Sequence, residues 1–287
     1  MNDKKKNTSF TLIELLVVIV IIGVLAAVIV VTTTSSISKA NIAKLKVFEE
    51  SIANNLSANM VSRWKLDEIN GSGGYTTPDS WGNNMGTFVG TTTTLQTVDC
   101  ASENCLYFSG GADYVNFGSD SSLQDPSFTV AFWLNQFDNT IRGIVDKRSL
   151  PTDGIGWRIF HNSVNIEFDG SGEIGNLIVT HDIGNWLYIV ASYDNDSHTM
   201  KLYKNGILGD SESSVTLNNA NNKPFLIGSY ASGYFKGSLD DVRMYNEALS
   251  SSQVKQNYIA GLNSMLANGS ISKTEYNRRI ESLGTSL

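Results

Sequence analysis

Apolar and polar positions divide this chain into three stretches with different periods. From Leu15 to Val31 every position is apolar, with no charge and no proline, and only Gly23 and the Ala26-Ala27 pair vary the aliphatic run. At about 1.5 Å of rise per residue, a helix over 10–31 is long enough for a hydrocarbon core of roughly 30 Å. Beyond it the chain turns polar but keeps helical spacing. Ile42, Leu45, Phe48, Ile52 and Leu56 step by threes and fours and give one apolar stripe. The spacing predicts a single helix from Phe10 to about Asn59.

From Arg63 the period falls to two. Phe128–Leu134, Trp157–Phe160, Val164–Phe168, Trp186–Tyr193 and Met200–Lys204 alternate, carry β-branched and aromatic residues, and are bounded by Gly, Asn, Asp and Pro. Asn205-Gly206 marks a tight hairpin, since both residues accept positive φ. About a dozen such strands predict an antiparallel two-sheet sandwich. The tail returns to helical spacing. One short helix is expected from Ser250 to near Gly261, and a second from Ser272, which makes a capping box with Glu275, to Gly284. The fold class expected is therefore α+β, in four segments: a leader (1–9), a long helix (10–62), a β-sandwich (63–261) and a short helical tail (262–287).

Charge and composition narrow the function. Lys4-Lys5-Lys6 precede the apolar run, which holds the leader in the cytoplasm and sends the remainder across the membrane. The net charge is -7 with no basic cluster outside the leader, which speaks against nucleic acid. Few residues are charged while Gly, Ser, Thr and Asn abound, as in exported β-rich domains. Cys100 and Cys105 are expected to close a small disulfide in an oxidising compartment, with free surface thiols the alternative. The three histidines lack partner spacing and are expected to be solvated, and Trp133 and Trp186 to be core.

Glu14 is the odd element of the apolar run, because a carboxylate at the end of a membrane helix is costly. With Phe10-Thr-Leu-Ile-Glu14 and the basic leader it resembles the N-terminus of type IV prepilins and type II secretion pseudopilins. That resemblance implies cleavage between Ser9 and Phe10 by a prepilin peptidase and methylation of the Phe10 amine. It also implies lateral assembly with other pilin subunits, in which Glu14 neutralises a neighbour's amine. Two positions depart from the family: Ser9 replaces the usual glycine, and the proline common near Val31 is absent. A plain membrane anchor remains the alternative.

A second resemblance covers Arg63 to Gly261. Trp64–Glu68, Asp79–Gly86, Leu106–Gly110, Phe128–Trp133, Phe225–Gly228 and Gly237–Ser250 resemble a laminin-G-like domain. It implies a concanavalin-like jelly roll with first and last strands adjacent in one sheet. It also implies a structural calcium site near that junction, drawn from Asp79, Asn83, Glu68 and Asp240; the bland alternative is turn formation and an ion pair to Arg243 or Lys65. Glycan or protein ligands are implied too, with Trp81, Trp157, Tyr230 and Tyr234 as candidate contacts, though for Trp157 burial between the sheets is the favoured reading. Glu167-Phe-Asp169 resembles the start of a laminarinase-type glycosidase motif, but Gly170-Ser-Gly172 ends the strand before a third carboxylate. No catalytic residue is therefore assigned. The tail from Leu266 to Leu283 is similar to a short C-terminal helical motif of bacterial proteins, implying oligomer contact; a helix packed on its own sandwich is the alternative.

Overall fold

The computed structural model describes residues 12–13, 15–22, 47, 51, 57–70, 75–90, 93–148, 155–170, 174–230 and 233–284. The chain divides into two compact units, Met1–Val47 and Phe48–Leu287. In the first, residues 12–13, 15–22 and 47 are helical. Among the described residues no helix is long and apolar enough to cross a membrane. Ser9, Phe10, Glu14 and much of the predicted 10–31 span lie outside the described residues.

Among the described residues the second unit carries eighteen strands. They run β1 (Met60–Trp64), β2 (Thr76–Thr77), β3 (Gly86–Val89), β4 (Thr94–Gln96), β5 (Cys105–Ser109), β6 (Tyr114–Asn116), β7 (Phe128–Gln136), β8 (Arg142–Arg148) and β9 (Gly156–Asn162). They continue as β10 (Asn165–Gly170), β11 (Ile174–Thr180), β12 (Leu187–Asp194), β13 (Thr199–Lys204), β14 (Ile207–Ser213), β15 (Leu226–Ile227), β16 (Ser229–Tyr230), β17 (Gly233–Tyr234) and β18 (Lys236–Tyr245). Two helices follow, α1 (Ser251–Asn268) and α2 (Lys273–Ser282).

Sheet 1 has the order β14-β13-β12-β7-β18-β5-β4, with β1 also on β18; sheet 2 has the order β11-β10-β9-β8-β15-β6-β3-β2. All pairings are antiparallel, and the first and last strands are neighbours as expected. β1 starts at Met60, inside the segment assigned to the long helix (10–62), because Met60, Ser62 and Trp64 alternate as buried positions at strand period. Trp64, Phe108, Phe128, Phe132, Trp157, Phe168 and Phe225 fill the space between the sheets.

The outer face of sheet 1 is covered as well. Trp133, Tyr188, Tyr203 and Tyr245 pack under Val254, Tyr258, Leu262, Met265 and Leu283 of the C-terminal segment. The tail therefore makes a third layer on its own sandwich, and Trp133 and Trp186 are buried beneath that layer rather than between the sheets. The first tail helix does not stop at Gly261. A Cβ there would sit 2.4 Å from Trp133 Cζ2, so the glycine is required by close packing inside α1, and Gly269, at φ 83°, closes the helix instead. The full capping box is at Ser250 and Gln253. Ser272 caps α2 through the Glu275 N–H, but the Glu275 carboxylate turns to Arg278 and Arg279.

The open edge of β11 is closed from the facing sheet. Asp210 and Glu212 on β14 accept hydrogen bonds from the Ile178 and Asn176 N–H groups, which leaves that edge a poor template for another strand.

Candidate functional site

The junction that the sequence marks for calcium is a strand exchange held by arginines. On one edge β18 pairs β5 through Lys236–Leu239 and then β1 from Val242 to Tyr245. A bulge falls between, with Asp241 at φ 45°. The extra residue shifts the alternation, so Leu239, Val242 and Met244 all face the inter-sheet core. Both aspartates are consequently buried, and the opposite-face rule for adjacent strand residues does not hold here. Asp241 bonds Arg63 on β1 at 2.7 Å and also Arg243. Those guanidiniums hold its carboxyl well below the usual range although burial opposes them. Asp240 accepts from the Ser102 N–H at 2.7 Å, and its Oδ1 has no partner among the described residues. Burial and the Asp241 charge push Asp240 well above the carboxylate range. Ser102 lies in the loop closed by the Cys100–Cys105 disulfide, whose two cysteines are buried rather than exposed.

The other calcium candidates do not converge on this junction. Asp79 Oδ1 accepts from the N–H groups of Arg63, Trp81 and Gly82, and Oδ2 from that of Asn84, at 2.9–3.0 Å. Its lone pairs hold a loop together, so the residue is a turn former. Asn83 and Glu68 are exposed. Among the described residues no three His, Cys, Asp or Glu side chains are placed to hold a metal, and Asp79, Asn83, Glu68 and Asp240 do not fit a calcium ion, which asks for six to eight oxygens. One oxygen cage does exist, and the chain fills it. The fully buried Lys147 ammonium donates to the carbonyls of Asn219 and Asn221 and to Asn221 Oδ1 at 3.1–3.2 Å. Burial pushes Lys147 down to about 8.

The candidate aromatics separate by exposure. Trp157 is completely buried, stacked on Phe128 at 4.6 Å, with its Nε1 donating to Asn219 Oδ1 at 2.7 Å. It is a core residue, with no ring face open to solvent. Trp81 is 49% exposed and anchored by its Nε1 to the Met60 carbonyl, which leaves a ring face to solvent. Tyr234 is half-buried and its carbonyl accepts from Arg142 Nη1 at 2.9 Å. The Tyr230 side chain lies outside the description.

Histidine is where composition misleads. His161 and His181 are buried, and none of their ring nitrogens has a hydrogen-bond partner among the described residues. Burial drives His161 down to about 4 from an ordinary 6.5. The folded state therefore binds a proton less readily than the unfolded chain. Stability is full above pH 6.5 and is lost as pH falls toward 4, by about 3 kcal/mol from this group. Urea denaturation at pH 4.5 and 7 should show that loss in the native chain and a much smaller one in His161→Leu; identical acid profiles would refute the assignment.

The glycosidase-like pair sits on the outer face of sheet 2. Asp146, Arg158 and Asp169 lie in register across β8, β9 and β10. Arg158 donates twice to Asp169 at 2.7 Å, and its guanidinium lies over the Phe160 ring at 4.0 Å. Asp169 is thus bound to an arginine. Burial raises Asp146 to about 7 against the pull of Arg148. Elsewhere, a cleft of about 490 Å³ opens where α2 meets the strand ends, lined by His181, Asn185, Lys204, Arg278 and Arg279. Nothing in the sequence pattern marked it, because its walls come from segments far apart in the chain.

Comparisons with known proteins agree with this architecture. The model of the concanavalin A-like lectin/glucanases superfamily matches residues 109–255, and the prokaryotic N-terminal methylation motif matches residues 4–30. The chain belongs to the concanavalin A-like lectin/glucanases superfamily, joined to a prepilin-type N-terminus. No curated protein matches it. The receptor binding domain of botulinum neurotoxin D superposes with a TM-score of 0.56 at 16% identity, over 72% of this chain and 54% of that one. The binding domain of Paraclostridial Mosquitocidal Protein 1 gives 0.55 at 20% identity, over 72% and 53%. This chain thus spans about half the length of those toxin domains. Domain 4 of AbnA, a GH43 extracellular arabinanase from Geobacillus stearothermophilus solved with arabinotriose, gives 0.54 at 18% identity, over 70% and 98%. At these identities the likeness is one of fold.

Proposed function

We propose that this chain is a pseudopilin or minor pilin-type subunit that displays a lectin-like binding domain outside the membrane and works by packing and display rather than turnover. The observation that carries the reading is the joining of a methylation motif at 4–30 to a concanavalin-like sandwich in one chain. In this reading a prepilin peptidase releases Phe10, and apolar contacts with a Glu14 to amine pairing drive assembly with other subunits, since buried opposite charges are each tolerable when paired. The sandwich then presents its loops to glycans or partner proteins. The AbnA domain, solved with a trisaccharide, supports a sugar ligand. The bidentate hold of Arg158 on Asp169 supports binding over glycoside cleavage, which needs two available carboxylates.

Ser9, at the position where the family carries glycine, favours a second reading: an uncleaved, membrane-anchored lectin-like protein that enters no filament. Co-expression with a prepilin peptidase, followed by mass spectrometry of the N-terminus, separates the two. A chain beginning at methylated Phe10 is the expected result. An intact Ser9–Phe10 bond would remove the filament and leave the anchored binding module.

A further inference from the structure

We propose that the cleft between α2 and the strand ends of the sandwich binds an acidic saccharide, a sugar that carries a carboxylate. This deepens the reading of the domain as a binding module, yet its chemistry rests on the cleft alone.

The cleft is assembled by the tail. One wall is Thr180–Asp182 after β11, Asn185–Leu187 leading into β12, and the Lys204-Asn205 turn; the other is α2 with Arg278 and Arg279. The Asn205-Gly206 turn fixes their approach, because a Cβ on Gly206 would lie 2.9 Å from Tyr258 and 3.2 Å from Leu283. At about 490 Å³ the space is in the range of small-ligand sites, too large for a lone inorganic anion.

Its charge runs against the rest of the molecule. In a chain of net charge -7 the lining gathers Lys204, Arg278 and Arg279, opposed by Asp182 and, on α2, Glu275. Glu275 bonds both arginines at 2.6–2.7 Å, so one negative charge is shared by two positive ones. Arg279 is held in place, its Nε on Glu275 and its Nη1 on the Trp186 carbonyl at 3.0 Å. Lys204 is tied to the Thr180 carbonyl at 2.5 Å by one of its three N–H groups, and the other two remain to give. Fixed cationic donors of this kind suit a carboxylate.

His181 points to hydroxyls. It lines the cleft at 6% exposure, and neither ring nitrogen has a hydrogen-bond partner among the described residues. Buried polar atoms are rarely left so, and an unpartnered one that lines a cavity takes its partner from water or a ligand there. Burial keeps the ring neutral at pH 7, although a contact with the Asp182 backbone, outside good hydrogen-bond geometry, pulls the other way. A neutral imidazole offers one donor and one acceptor, the complement of a sugar hydroxyl. With the Asn185 amide on the same wall, the site offers polar partners to a ring and cations to its acid group.

The test uses the full-length chain in detergent, titrated by calorimetry with digalacturonate, a glucuronate-bearing disaccharide and neutral cellobiose. At least one acidic sugar should bind roughly tenfold or more tightly than cellobiose. Its affinity should fall as salt rises from about 0.05 to about 0.5 M. Arg278, with its side chain 69% exposed, and the half-buried Lys204 lie at the surface, so their substitution is expected to leave the fold intact. Arg278→Gln and Lys204→Gln should each weaken binding by about tenfold, with unchanged melting temperature. Equal affinity for cellobiose, indifference to both substitutions, or no acidic sugar bound at millimolar concentration would each overturn the proposal. If other glycans bind the native chain and both variants alike, the display reading stands while this site falls.

Discussion

Asp241→Asn lowers the stability of the sandwich by about 3–5 kcal/mol, the cost of leaving buried charges without their partner. Arg243 and Arg63 keep only 5% and 17% of their side chains exposed. Without the carboxylate the buried Arg243 guanidinium loses the anion that holds it, and Arg63 loses its 2.7 Å ion pair. Asparagine keeps the size and tolerates the positive φ of this position, so the substitution isolates the charge. The damage should spread to the tail, because Arg243 Nη1 donates to Asn257 of α1, which in turn donates to the Tyr245 hydroxyl. Asp240→Asn is the control. That carboxyl is already pushed toward its neutral form, so the amide should cost less than about 1 kcal/mol. Urea denaturation of both variants at pH 7 decides the matter. Equal losses would mean that the two aspartates share the negative charge.

Trp157→Ala is expected to cost about 3–5 kcal/mol through the cavity it leaves. Phe128, Phe168 and Phe225 all pack against this indole, at centroid distances of 4.6, 6.1 and 6.1 Å. The loss also strips Asn219 Oδ1 of its buried donor, and Asn219 positions one of the carbonyls around Lys147. Trp157→Phe should retain much of the packing and lose chiefly that hydrogen bond, about 1–3 kcal/mol. Thermal and urea unfolding of the two variants, set beside sugar titration of the folded fraction, gives the check. A stable Trp157→Ala protein that has lost a ligand would make the residue a binding contact after all.

Much of this was legible in the chain. Period-two alternation with Asn205-Gly206 gave the hairpin of β13 and β14, and the sandwich followed from many such strands. The same patterns misplaced some residues for a common reason: they report local period, not what lies opposite. Gly261 looked like a helix stop because glycine usually is one, but Trp133 on β7 demanded it. Adjacent strand residues ordinarily face opposite sides, but the bulge at Asp241 leaves both it and Asp240 buried. His161 and His181 looked solvated, since no spacing shows that apolar neighbours from other strands enclose them.

By itself the sequence determined the prepilin-type N-terminus, the β-rich class of the domain and the adjacency of its first and last strands. Those features depend on short runs of consecutive residues or on a whole-chain family pattern, where local chemistry is enough. Only the tertiary structure decided that the tail covers sheet 1, that Asp79 binds its own loop, that Lys147 fills an oxygen cage, and that His181 and Arg278 share a cleft. Each of these is a meeting of residues from distant segments, set by how layers pack and which buried polar groups find partners, and a linear pattern carries no record of such meetings.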